Sequence, residues 1–316
     1  NQLFLAFLTI ATFITCTSTA KQRPEGGWLW KISGNGLSHP SYLFGTYHGT
    51  YDILYQYTDS IPELHQAFNA CSQFAGESET TSKPTPAQVG AAIKLPKETT
   101  YADLLNKEGF HFLDSIVRQS LKSPLNKVYI KPNFLALILG EIEKGKKLVD
   151  TGYSQSRIDS MKSQVMDIAL EKKAKEKGLT IVGLEDIFDA FVSEKSNLKK
   201  EADELISDLR EDDEISPLSF VNTLSDVYRT QNMKSLIDFE VKVDSIFRTS
   251  PKLTEIGKRI REDLLKRRNL NWMNKIPELM KAQPTFIAVG VRHLPGKDGL
   301  IALLLEKGYQ VEPIGL

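Results

Sequence analysis

The amino-acid sequence predicts an α/β fold, with a mixed central sheet, covering helices and a large helical layer. Three observations lead there. Short apolar runs alternate with helical patterns, and several of those runs close on a glycine. The runs are continuously apolar rather than alternating, which marks strands covered on both faces. Residues 100–175 and 190–281 are overwhelmingly helical in pattern, interrupted by polar breaks such as Ser78 to Pro86 and Glu211 to Pro217.

The elements follow in order. Trp28 to Ile32 and Tyr42 to Phe44 flank Gly34-Asn35-Gly36, whose residues suit a reversing turn, so a hairpin is expected. Ser60-Ile61-Pro62-Glu63 has the form of a capping box, and Ile61, Leu64, Phe68 and Cys71 continue it at helical spacing. The run Gln73 to Glu77 reads as the next strand. A helix from about Met161 to Lys177 should stop at Gly178, where a left-handed cap belongs, and feed the strand Leu179 to Val182. Thr285 to Val289 is a further strand. A helix near Asp298 then stops before Gly308 and leads to a last strand, Tyr309 to Pro313.

Composition narrows the class. The 316 residues carry 40 Lys and Arg against 40 Asp and Glu, with 41% hydrophobic residues, which suits a globular chain with a full core. Zero net charge argues against a nucleic-acid surface. The runs Lys172, Lys173, Lys175, Lys177 and Glu211 to Glu214 read as solvated faces. A single domain over residues 21–316 is expected.

Residues 1–20 hold no charge, and Leu3 to Ile14 is nearly continuous in apolar residues and Thr, which reads as a signal peptide. Ser18-Thr19-Ala20 would be the cleavage site and Lys21 the mature start. Two alternatives stay open. Cys16, after Phe13-Ile14-Thr15, resembles a degenerate lipoprotein box, and the stretch could also be an uncleaved anchor of about 18 apolar residues. An exported protein, periplasmic or at the outer cell surface with or without a lipid anchor, is the expectation. With Cys16 removed or lipidated, Cys71 is alone and no internal disulfide forms.

In sheets of this kind, sites gather beyond the C-terminal ends of the strands. Four such places, after Phe44, Ala75, Val182 and Val289, each carry a glycine followed by a ligand or acid: His48, Glu77, Glu185 and His293. Two of them share the spacing Gly45-x-x-His48 and Gly290-x-x-His293. Gly45 and Gly290 would let the chain leave the strand sharply, so that each imidazole serves as metal ligand or general base. The spacing recurs at Gly36 to His39 inside the turn, so only the strand-ending pair is informative. Glu77 and Glu185 need a metal, an Arg or donors to offset desolvation, and Glu185 could instead be a helix N-terminal residue before Ile187-Phe188. Arg268, four residues from both Leu264 and Trp272, emerges from an apolar stripe through Ile256, Ile260, Trp272 and Ile276. It would pair with a buried carboxylate or stabilise an oxyanion. His39, His65 and His111 follow no strand and are taken as surface residues. Loops for nucleotide binding, zincin helices and serine-nucleophile elbows are missing from the sequence.

Taken together, Tyr42 to His48, Gly183-Leu184-Glu185, Arg268-Asn269 with Trp272, and Ala288 to Gly296 followed by Gly299 and Gly308-Tyr309 resemble the TraB/GumN family, which is related to the TIKI metalloproteases. That resemblance runs from about residue 27 to the end. It implies a fold similar to the erythromycin-esterase and ChaN group, and a divalent-metal-dependent peptidase. His48 and His293 would be metal ligands with Glu77, a residue that would also act in catalysis beside Glu185 and Arg268. Gly45 and Gly290 would line the cofactor pocket. Met166-Asp167 looks like the family's Met-Asp pair, whereas Phe188-Asp189 and Arg292 depart from its usual residues. The implied cofactor is Mn²⁺, Co²⁺ or Zn²⁺, and the implied partner is a peptide or protein substrate. The alternatives are a non-catalytic ligand-binding protein of the haem-binding ChaN type and a module that intercepts signalling peptides.

Overall fold

The computed structural model describes residues 26–47, 62–79, 85–150, 152–154, 156, 165–186, 197–210 and 224–315. The signal segment with Cys16, the capping box at Ser60-Ile61, His48, Met161, Phe188-Asp189 and the acidic run Glu211 to Glu214 lie outside the described residues. The fold is α/β, built on a six-stranded mixed sheet in the order β4-β3-β5-β2-β1-β6.

β1 (Leu29–Ser33) and β2 (Ser41–Thr46) form the expected antiparallel hairpin, with Leu29 opposite Phe44 and Ile32 opposite Ser41. Gly34, Asn35 and Gly36 all take positive φ, which explains why two glycines and an asparagine occupy the turn. From β2 the sheet continues in parallel: β5 (Thr285–Gly290) beside β2, β3 (Gln73–Gly76) beside β5, and β4 (Thr180–Gly183) beside β3. β6 (Gln310–Ile314) closes the other edge, antiparallel to β1. Four parallel strands therefore end at one edge of the sheet, and those are the four that carry the candidate residues.

Helices feed these strands through two matching caps. α6 (Met166–Glu176) ends with Leu179 N donating to Ala174 O and Gly178 N to Lys175 O, with Gly178 at φ +73°. α12 (Leu300–Glu306) repeats this, with Tyr309 N donating to Leu304 O, Gly308 N to Leu305 O, and Gly308 at φ +89°. Both are Schellman motifs in which the glycine takes the left-handed position.

Further helices among the described residues are α1 (Pro62–Asn69), α2 (Pro86–Ile93), α3 (Tyr101–Leu104), α4 (Lys107–Leu121), α5 (Pro132–Asp150), α7 (Leu198–Arg210), α8 (Met233–Phe247), α9 (Pro251–Arg259), α10 (Arg267–Trp272) and α11 (Ile276–Ala282). Two hydrophobic clusters result. One surrounds the sheet, with Ile32, Leu43, Phe44, Phe74, Phe286 and Ile287 at its centre and α6, α8, α11 and α12 contributing to it. The other lies among α3, α4, α5 and α7, around Tyr101, Leu113, Val117, Leu125, Leu135 and Ala202. The expectation of continuous burial holds for β3 and nearly so for β5, and it fails at the edges. β4 and β6 are exposed or half-buried, because each has a single neighbour to cover it. Among the described residues, no helix is long and apolar enough to cross a membrane.

Candidate functional site

The parallel ladder does not stop where the strands do. Leu184 N donates to Gly76 O and Glu185 N to Glu77 O, each at 2.9 Å, so Glu77 and Glu185 stand side by side beyond β3 and β4. Two carboxylates set together away from water need cations or donors. Arg268, on α10, supplies them. Its Nε lies 2.9 and 3.2 Å from the two Glu185 oxygens, and its Nη2 donates to both Glu185 Oε1 and Glu77 Oε2. Trp272 lies one helical turn on from Arg268. It carries the guanidinium over its ring, 4.7 Å from the centroid, and donates its indole N–H to Glu185 Oε2 at 3.0 Å. Burial favours the neutral form of Arg268, but Glu77 and Glu185 outweigh it and hold the guanidinium's pKa above the usual value.

The apolar stripe expected around Arg268 is not a regular helical face. Residues Ile260–Lys266 form a π-helical turn, α10 ends at Trp272, and Leu264 is exposed. Widening the helix there changes which side chains share a face, so 3.6-residue spacing misplaces Leu264.

His293 enters from the adjacent strand. After β5 the chain makes a 3-10 turn, Val291–His293, and buries the ring against Trp272, with centroids 4.5 Å apart. Its Nδ1 lies 2.7 Å from Asn269 Oδ1, and its Nε2 lies 3.3 Å from Arg268 Nη1 and 3.8 Å from Glu77 Oε1. Glu77 Oε1 also accepts the backbone N–H of Gly290 at 2.7 Å. One cluster thus unites His293, Glu77, Glu185 and Arg268. His48, two residues beyond the end of β2, is outside the described residues.

The glycines work differently from the sharp exit expected of them. Neither Gly45 nor Gly290 has positive φ, and Gly45 lies inside β2, paired with Val289. What Gly45 permits is close approach: a Cβ there would sit 2.9 Å from Val291 Cγ2 and 3.1 Å from its Cα. The absence of a side chain lets the turn bearing His293 settle on the neighbouring strand.

The sequence matches the TraB/PrgY/gumN family over residues 28–313, nearly the whole chain. The chain belongs to the TraB/PrgY/gumN family. No curated protein and no solved structure shows significant similarity.

In this TraB/PrgY/gumN protein, the other residues of the resemblance make contacts of their own, several of them at the end of β2. Asp167, at the start of α6, accepts the Thr46 hydroxyl at 2.7 Å, and the buried Met166 neighbours the Tyr228 hydroxyl, which donates to Gly45 O at 2.7 Å. Arg292 pairs through Nε and Nη2 with both oxygens of Glu240 on α8, away from His293. His39, His65 and His111 are exposed, as expected. The helix-start alternative for Glu185 concerns Ile187-Phe188, outside the described residues.

The donor chemistry bears on a metal. Among the described residues, no three His, Cys, Asp or Glu side chains are grouped to hold an ion. A pair is within reach: donors sharing one ion lie about 2.0–2.2 Å from it, so they can be up to about 4.4 Å apart. His293 Nε2 and Glu77 Oε1, at 3.8 Å, satisfy that limit. Two N/O donors are thus close enough to share one ion, and Arg268 Nη1 already contacts one of them.

Asn269 and Trp272 hold the site together, yet the sequence offers no spacing rule for Asn269. Trp272 is marked in the sequence by its position four residues after Arg268, although its indole contact with Glu185 is not.

Proposed function

We propose that this protein is an exported metal-dependent hydrolase acting on peptides. The observation that carries the reading is the approach of His293 Nε2 to Glu77 Oε1 at a shared parallel-strand edge, with a largely buried guanidinium beside them. Export rests on the uncharged, apolar segment before Lys21.

His293 and Glu77 would hold a Mn²⁺, Co²⁺ or Zn²⁺ ion, with His48 as a further ligand by family resemblance. When bound, such an ion lowers the pKa of a water and polarises a carbonyl. The chain's own residues do the rest. Gly290 N–H orients Glu77 Oε1 toward the ion's place, and Glu77 Oε2, beside Arg268, would accept the proton of the attacking water and pass it to the leaving amine. Glu185 and Trp272 hold the guanidinium of Arg268 from behind, so that its Nη1 edge can turn from His293 toward a developing oxyanion. Glu185 acts through Arg268, since its oxygens already accept from Arg268 and Trp272.

The test is peptide hydrolysis with added Mn²⁺, Co²⁺ or Zn²⁺, alongside metal content, for wild type, His48→Ala and His293→Ala. Each variant should lose turnover and bind metal more than about 100-fold more weakly, beyond the loss caused by removing an outer hydrogen bond. Unchanged occupancy in the double variant rejects the ligand assignment. Haem absorbance in the Soret region without turnover favours the ligand-binding alternative.

A further inference from the structure

The amide of Asn269 can face only one way. Its Nδ2 donates to Asp298 O at 2.8 Å and to His293 O at 3.2 Å, so its oxygen must be the atom facing the imidazole. A carboxamide oxygen only accepts, and therefore His293 Nδ1, 2.7 Å away, must carry the hydrogen. The opposite side of the ring is consistent with this, through a longer contact. Arg268 Nη1, 3.3 Å from Nε2, only donates, so in neutral His293 the lone pair lies on Nε2. Both ring nitrogens are thereby assigned by partners with a single possible role.

We infer that Asn269 is a positioning residue that, through the shorter of the two ring contacts, holds His293 in the Nδ1–H tautomer and so leaves the Nε2 lone pair facing Arg268 Nη1, with Glu77 Oε1 3.8 Å away. The same amide joins two jobs. Its N–H groups tie the loop at His293 and Asp298 to α10, and its oxygen sets the tautomer. Under the metal reading proposed above, this makes Nε2 the liganding atom. The tautomer itself does not depend on that reading.

Substitutions separate the two jobs. Asn269→Asp keeps an acceptor for Nδ1–H and loses both N–H donors, whereas Asn269→Ala loses everything. The experiment records ¹⁵N–¹H long-range correlation spectra of the full chain with labelled histidine, in which His293 is identified among the 5 histidines by a His293→Gln variant. In wild type and Asn269→Asp, Nδ1 should show the protonated shift. In Asn269→Ala, where Arg268 Nη1 alone still faces Nε2, the Nδ1–H population should fall in part, with the other histidine signals unmoved as a check of the fold. A wild-type ring protonated on Nε2 alone, or equal loss of the Nδ1–H state in both variants, overturns the inference, as does an unchanged tautomer in Asn269→Ala. Titration with Mn²⁺ or Zn²⁺ alone adds a second readout: affinity in Asn269→Ala should drop about 10- to 100-fold. If wild type binds neither ion while the tautomer pattern holds, the hydrolase proposal fails and the role of Asn269 stands.

Discussion

At the level of single residues, the site depends on contacts that leave no spare volume. Gly45→Ala would drive a methyl against the backbone of Val291, where the neighbour cannot swing away. A destabilisation of about 1–3 kcal/mol is expected from overpacking of this kind, read as a shift in the urea midpoint. A variant as stable as wild type would show that the turn carrying His293 is mobile. The four charged or titratable residues of the cluster could be named in advance, because each carries a distinctive type at a strand end or in an apolar stretch. Asn269 could not be given a role, since an amide inside a helix has no signature until its partners are placed around it.

At the level of elements, the caps were readable and the helix irregularity was not. Gly178 and Gly308 each follow a helical pattern and precede an apolar run, which is a local signal. Gly178→Ala should cost about 1–2 kcal/mol through the left-handed backbone alone, because no heavy atom lies within 4 Å of the added Cβ. Gly178→Asn should recover part of it. Thermal denaturation of the two variants checks this, and equal losses would point to a cause other than backbone strain. The π-helical turn before α10 has no sequence periodicity of its own. It immediately precedes the turn of helix from which Arg268 meets Glu185 and Glu77 and Trp272 packs on His293, contacts made with segments distant in sequence.

Over the whole molecule, the two hydrophobic clusters have no buried residue in common. Among the described residues, α7 of the helical cluster meets α9 through ion pairs such as Arg259 with Glu204 and Lys200 with Glu255, which are largely exposed and contribute little. The helical cluster should therefore open at lower free energy than the sheet. Leu113→Ala, at a fully buried position, should cost about 2–5 kcal/mol within its own cluster. Hydrogen exchange should speed up in α4 and α7 and stay unchanged in β3 and β5. Equal acceleration in the strands would make the two clusters one cooperative unit.

Local pattern and residue type were enough to mark the α/β class, the hairpin, the glycine caps and the strand-end or apolar-stripe positions of Glu77, Glu185, Arg268 and His293, while the family came from the resemblance of whole motifs. Three facts emerged only from the folded chain: one guanidinium bridges both carboxylates, Gly45 serves close approach rather than a turn, and Asn269 faces His293. They depend on strand order and on contacts between residues far apart in the chain, such as the 191 positions separating Arg268 from Glu77. Periodicity reports which face of an element is buried, and it carries no information about what lies opposite.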